Sequence, residues 1–289
     1  MLELYHWEPN TFFLKPLIAL HEKGASFASR YFDPTEFAQL AAGFPHNVES
    51  GLHLEREGPV LVHDGAIISS SFFMLEYIAD ALPGPELSPG DAYAHYRARA
   101  WGQVVGLQLG PAIASLGCAK YLTPLLRRRD QNALNASIER IEPQERRAAW
   151  RAVIDGTYDE RTLNAARERL KPLVRRVDDA LGRDAWLAGT AFGVADIDAY
   201  AMLKALPDLT PELVNERATP RIVEYLQRVG ARAAVKAALG YSRTGSRRKP
   251  SFRAPSRHAG ADRAPRRDPQ REGLAGGAAP GGCPNICVQ

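Results

Sequence analysis

Cysteine is scarce in this chain, and the three present are poorly placed to crosslink it. Cys118 falls in a stretch with helical periodicity, and Cys283 and Cys287 lie four apart near the C-terminal end. Without the paired spacing and histidines of a zinc site, they argue against both a disulfide scaffold and a structural metal. No apolar run reaches the ~20 residues needed to span a bilayer. The N-terminus opens on a strand-like pattern and has neither the charged region nor the apolar stretch of a signal peptide. A cytoplasmic protein with no membrane partner is therefore expected. Also missing are a glycine-rich phosphate loop, a zinc-hydrolase His-Glu pair and any interleaving of aromatic and basic residues in the first 241 positions. These absences make nucleotide and nucleic-acid chemistry poor candidates for the folded part.

Positive charge is also scarce where the chain can fold. Of 37 Lys and Arg, ten fall in residues 242–289 against three of the 33 Asp and Glu, which leaves 27 against 30 for residues 1–241. The basic balance thus belongs to the last segment. That segment is rich in Arg, Gly and Pro and nearly empty of large apolar side chains, so burial cannot offset its chain entropy and disorder is expected. Its composition fits a basic arm for nucleic acid or another acidic partner, and it fits equally an extension without function, even a shifted reading frame. The second is the expectation.

The richest stretch runs from Gly58 to Leu82. Pro59 opens an apolar strand, Asp64-Gly65 supplies a two-residue turn, and Ala66-Ile67-Ile68 forms a second strand. This is a strong hairpin pattern, because Asp-Gly tolerates the positive φ angles of a tight turn. Ser69-Ser70-Ser71 then opens a helical run to Leu82. Hydroxyls and unpaired backbone N–H groups at such a start could together hold a carboxylate. The same residues would also serve as a plain edge-strand opener and helix cap. Upstream, Leu2 to Tyr5 alternates as a strand, and Thr11 to Lys23 has helical periodicity closed by Gly24. A second strand is expected over Phe27 to Phe32 and a helix near Thr35 to Ala42. After the Pro83-Gly84-Pro85 breaker, helical periodicity dominates from Asp91 to about Leu239.

The resulting order is thioredoxin-like and is followed by an all-helical region. In it the chain resembles the cytosolic-type glutathione transferases over residues 1–240. Within that family it is similar to the bacterial glutathione-dependent β-etherases of lignin breakdown. The resemblance rests on Leu14-Lys15-Pro16-Leu17, Glu22-Lys23-Gly24, Asp33-Pro34, His63-Asp64-Gly65, Glu76-Tyr77, Ile141, Pro143, Trp150-Arg151 and Thr219-Pro220. Trp186 to Gly189 with Gly193-Val194-Ala195-Asp196 resembles the family's folding motif, with glycine where Ser or Thr usually caps the helix.

The resemblance implies an α/β thioredoxin-like domain over 1–83, an all-α substrate domain over 84–241 and a tail over 242–289. It also implies glutathione as cofactor, a small hydrophobic or aromatic substrate, and a homodimer. Gly58 and Pro59 match the family's cis-proline strand, and Ser70 and Ser71 stand where the family has a Glu/Gln-Ser pair; His53, with His46 and Arg56, could reach the glycine carboxylate of glutathione.

Activating a thiol by about 2 pKa units needs roughly 2.7 kcal/mol of preferential thiolate stabilisation. Relatives place a Ser or Cys where this chain has Phe12 or Phe13, neither of which can donate a hydrogen bond. Thr11 and Asn10 are the nearest donors and the candidate catalytic residues, with Tyr5 as a further candidate. Phe12, Phe13, Trp101 and Tyr121 could wall a substrate pocket. The expectation is a transferase that directs the glutathione thiolate at an electrophilic carbon or aryl ether. The alternative is a non-catalytic binding or scaffold module on the same fold.

Overall fold

The computed structural model describes residues 1–46, 58–88, 90–141 and 144–243. Strand β1 (Leu2–His6) leads through a short loop into helix α1 (Thr11–Glu22), and β2 (Ala28–Tyr31) returns parallel to β1. The hairpin forms as expected, from β3 (Val60–His63) and β4 (Ala66–Ile68), with Asp64 and Gly65 at φ 49° and 89° in the turn. The sheet order is β2-β1-β3-β4, with β3 antiparallel to both its neighbours. Helix α2 (Ser71–Ala81) follows β4 directly. Gly84 has φ 119°, and a Cβ there would lie 2.3 Å from the Lys23 carbonyl oxygen, so the breaker between the two regions requires glycine.

Alternation along the strands sorts side chains onto two faces. Leu4 and Leu61 join the large core under α1 and α2, whereas Tyr5, Val60 and Val62 join a smaller cluster with Phe13, Phe32 and Phe44. Phe12 and Phe13, adjacent on α1, are split between the two cores, so they cannot wall one pocket together. Tyr5 is also a core residue. It packs edge-on to Phe44 at 5.6 Å, and burial pushes its phenol up.

The helix expected near Thr35 to Ala42 is instead two 3-10 turns, Pro34–Glu36 and Ala38–Leu40. The Asp33 carboxylate accepts from the Thr35 N–H at 2.8 Å and starts the first turn. Phe37 then takes φ 55° and breaks the run, and its ring packs 4.9 Å from Trp150.

The helical region comprises α3 (Ala92–Val104), α4 (Gly110–Gly117) and α5 (Thr123–Leu126), linked by π-helical turns, then α6 (Gln131–Glu139), α7 (Gln144–Asp155), α8 (Glu160–Leu181), α9 (Val194–Leu203), α10 (Leu206–Leu209), α11 (Pro220–Gly230) and α12 (Ala233–Leu239). Helix α9 is buried on every side, and both it and α12 pack on α1, so one core runs through both regions. Arg232, just before α12, grips the Glu22 carboxylate through two nitrogens at 2.6 and 2.8 Å.

The chain stays in contact with the body past Tyr241. Tyr241 stacks on Phe27, Ser242 Oγ donates to Glu8, and the Arg243 N–H donates to Glu8 at 3.0 Å. The ordered body therefore extends at least to Arg243, two residues past the expected boundary; the rest of the expected tail lies outside the described residues. Among the described residues no helix is long and apolar enough to cross a membrane, and no group of three metal-ligating side chains is present.

Candidate functional site

Three segments far apart in sequence meet at one corner of the sheet. Pairing of Tyr5 with Val60 sets Gly58 and Pro59, at the mouth of β3, beside the loop that joins β1 to α1. The N-terminus of α2 approaches the same corner, because Lys15, one turn into α1, reaches Ser71 with Nζ 3.1 Å from Oγ. The Asn10–Thr11, Gly58–Pro59 and Ser70–Ser71 segments thus stand toward the same corner of the sheet. His53 and Arg56 lie outside the described residues. His46 turns its Nδ1 to the Phe44 carbonyl within its own loop, at 2.9 Å.

The start of α1 differs from an ordinary capped helix. Asn10 occupies the N-cap position in extended backbone, but its side chain caps no N–H. Thr11 has φ 29°, strained for a β-branched residue. Its hydroxyl donates only a long 3.5 Å hydrogen bond to Asn10 Oδ1. Both are buried, with 4% and 2% of their surface exposed. What remains at this helix start is a hydroxyl, an amide and the N–H groups of the first turn, whose partial positive charge favours an anion.

At the second helix start Ser70 also has a left-handed backbone, with φ 68°, and its side chain likewise caps nothing. Ser71 is fully buried. Lys15 can only donate, so Ser71 Oγ is the acceptor in their contact. Lys15 in turn pairs with Asp198 of α9 at 2.7 Å, both side chains only 1% exposed, and its ammonium lies 4.8 Å from the centre of the Phe12 ring. Removing one partner from such a buried pair typically costs about 3 to 5 kcal/mol. Lys15 and Asp198 were missed as site residues in the sequence. The signal available was a lysine amid the apolar run Phe12 to Leu17 and an aspartate amid Val194 to Leu203.

Two more buried groups are shifted from their ordinary acidity. Burial lowers the His6 imidazole to about 4, so it stays neutral. Its Nδ1 donates to the Trp7 carbonyl and its Nε2 accepts from Ser29 Oγ, each at 2.7 Å. In α9, burial raises the Asp196 carboxyl to about 6 against the opposing effect of its hydrogen bonds. These come from the Leu187 N–H at 3.0 Å, the Gly193 N–H at 3.2 Å and the Tyr225 hydroxyl. The acidic half of the capping box is present, while Gly193 contributes no side-chain oxygen. The reason for glycine is steric, since a Cβ at this position would lie 2.5 Å from the Leu87 carbonyl oxygen, where the segment before α3 crosses the start of α9.

Residues 127–233 match the glutathione S-transferase C-terminal domain. The chain is similar to protein LigF of Sphingobium sp. strain NBRC 103272 / SYK-6, with 27% identity over 241 residues that cover 81% of this chain and 91% of LigF. The crystal structure of the β-etherase LigF from Sphingobium sp. strain SYK-6 superimposes with a TM-score of 0.75 at 26% identity, covering 83% of this chain and 99% of that one. A sphingomonad glutathione S-transferase solved in complex with glutathione shares the fold, with a TM-score of 0.58 at 23% identity over 82% of this chain and 97% of that one. Its C-terminal region thus matches a glutathione S-transferase domain, and most of the chain is similar in sequence and in fold to LigF.

Proposed function

We propose that this protein is a glutathione-dependent transferase of β-etherase type. Glutathione lies across the corner of the sheet, with its γ-glutamyl carboxylate on Ser71 and the first turn of α2, its backbone along Gly58 and Pro59, and its thiol at the start of α1. The observation that supports this reading is the meeting of three segments at one corner of the sheet, where the helix start at Ser71 offers backbone N–H groups to an incoming carboxylate. The thiolate is held by the first-turn N–H groups of α1 with Thr11 and Asn10. It attacks an ether-bearing carbon, a C–S bond forms as the C–O bond breaks, and the aryloxide leaves and takes up a proton from water. The similarity to the β-etherase LigF supports the choice of aryl ether. The homodimer belongs to the same reading, with the exposed Phe73, Tyr93 and Tyr96 as its apolar contacts.

A second reading has one observation in its favour. Thr11 Oγ is buried and directed at Asn10, so a binding module that holds glutathione without activating it would look the same at this helix start. Calorimetric titration with glutathione followed by assay on a β-aryl ether and on a chlorinated aromatic separates the two. Micromolar to millimolar binding with ether cleavage supports the enzyme. Binding without turnover of either compound supports the module, and no binding overturns both.

A further inference from the structure

A second pocket, away from the corner of the sheet, carries chemistry that the reading above does not use. It opens between the C-terminal turn of α9, α10, the turn before α11, and α11 itself, and encloses about 460 Å³. Its walls include Val214, Val223 and Leu226, with Tyr200 and Lys204 on one side and Glu216 at the other. Tyr200 and Lys204 are four residues apart, so they lie one above the other on the same helix face. Lys204 is six residues beyond Asp198, about 9 Å farther along the axis than the Lys15 contact.

Both polar groups are unusual. Among the described residues the Lys204 ammonium has no hydrogen bond or ion pair, and Glu216 is not within 4 Å of it. Burial alone lowers its basicity, with no neighbouring acid acting the other way. The Tyr200 hydroxyl, on a side chain 4% exposed, likewise has no hydrogen-bond partner among the described residues. The ammonium and the phenol line one apolar cavity with no hydrogen-bond partner among the described residues, so both can donate to an anion that enters it. The cavity volume lies within the usual range for small-molecule sites, in which apolar walls hold a ligand's body and a few polar groups fix its head. Glu216 is exposed at the wall, where solvent screens it, so it disfavours a doubly charged anion more than a single deep carboxylate.

We propose that this pocket binds a small monocarboxylate with an apolar body of about one aromatic ring, its carboxylate held by Lys204 and Tyr200 and its body between Val214, Val223 and Leu226. The site is separate from the glutathione corner and does not depend on the reading given for it.

The probe is 3-phenylpropanoate, with 3-phenylpropanamide as its uncharged counterpart, titrated calorimetrically into the full chain. The expected result is one-to-one binding of the acid, at least tenfold weaker binding of the amide, and a similar loss in Lys204→Met. Tyr200→Phe is expected to weaken the acid several-fold. Leu226→Trp, which fills the cavity without touching the charge, abolishes binding of both probes while the far-ultraviolet circular dichroism and glutathione affinity stay unchanged. Equal affinity for acid and amide, or unchanged affinity in a folded Lys204→Met, overturns the proposal. So does displacement of the acid by glutathione together with its loss in Ser71→Ala, which would put the probe in the other site.

Discussion

At the scale of a single residue, Ser71 Oγ accepts from Lys15 and stands at the α2 start where the γ-glutamyl carboxylate is proposed to bind. Ser71→Ala removes a hydrogen bond to a charged group worth about 1.5 to 3 kcal/mol, so glutathione affinity is expected to fall at least ~10-fold by calorimetry. An unchanged dissociation constant would remove Ser71 from the site. Thr11 is tested differently. Thr11→Val keeps the shape and removes the hydroxyl, and the apparent thiol pKa in the rate profile is expected to rise by about one unit, or roughly 1.4 kcal/mol, with affinity nearly unchanged. Thr11→Ser retains most of the rate. If Thr11→Val matches the parent at every pH, the hydroxyl plays no part and Asn10 with the first-turn N–H groups carries the thiolate alone.

Helix α9 shows how one element reconciles demands that conflict locally. It is apolar almost throughout and buried on all sides, yet it carries Asp196 to close its own N-terminus and Asp198 to neutralise Lys15 in the other region. Its cap position is also where the segment before α3 docks, through the Val194 N–H to the Leu87 carbonyl at 3.0 Å. Gly193→Ser would supply the hydroxyl that a capping box normally has, a gain of roughly a few tenths of a kcal/mol over glycine in an open helix. Here its Cβ meets the Leu87 oxygen at 2.5 Å, so the segment must shift. The variant is expected to melt several degrees below the parent, since about 1 kcal/mol moves the midpoint of a domain this large by roughly 2 to 4 °C. A higher melting temperature would show that the docked segment gives way easily.

Acid stability of the whole molecule depends on two buried groups that act in opposite senses. His6 is held near 4 against 6.5 in the unfolded chain, so the unfolded state binds more protons between those values. Its contribution is present above pH 6.5 and lost as pH falls through about 4. Asp196 is held near 6 against 3.8, so the folded state binds more protons. Its contribution is present below pH 3.8 and lost as pH rises through about 6. Each shift corresponds to about 3 kcal/mol, and between pH 4 and 6 the two largely cancel. Asp196→Asn should therefore leave stability rising with pH across this window, and His6→Asn should leave it falling, as read from urea midpoints. Parallel slopes in the two variants would contradict the assignment. The C-terminal boundary is tested at the same scale. A chain ending at Arg243 is expected to keep its melting temperature. One ending at Gly240 loses the Tyr241 stacking and the hydrogen bonds to Glu8 and is expected to melt several degrees lower.

Local chemistry alone made much of this protein legible. The Asp64-Gly65 hairpin, the glycine stop at Gly24, the breaker at Gly84 and the all-helical second half follow from backbone preferences that act within a few residues, and so they are readable in order along the chain. The helix expected over Thr35 to Ala42 failed because Phe37 gains more by packing on Trp150, over a hundred residues away, than the segment gains from one more helical turn. The candidate site divides along the same line. Serines at a helix start are visible in sequence, but the ion pair of Lys15 with Asp198, which holds the ammonium against Ser71, joins residues 183 positions apart and exists only once α9 is buried against α1. The opposite fates of Phe12 and Phe13, the steric need for glycine at position 193 and the unpaired Lys204 were likewise decided by tertiary packing. Local propensity acts on neighbours in the chain, whereas burial, charge pairing and close approach depend on neighbours in space.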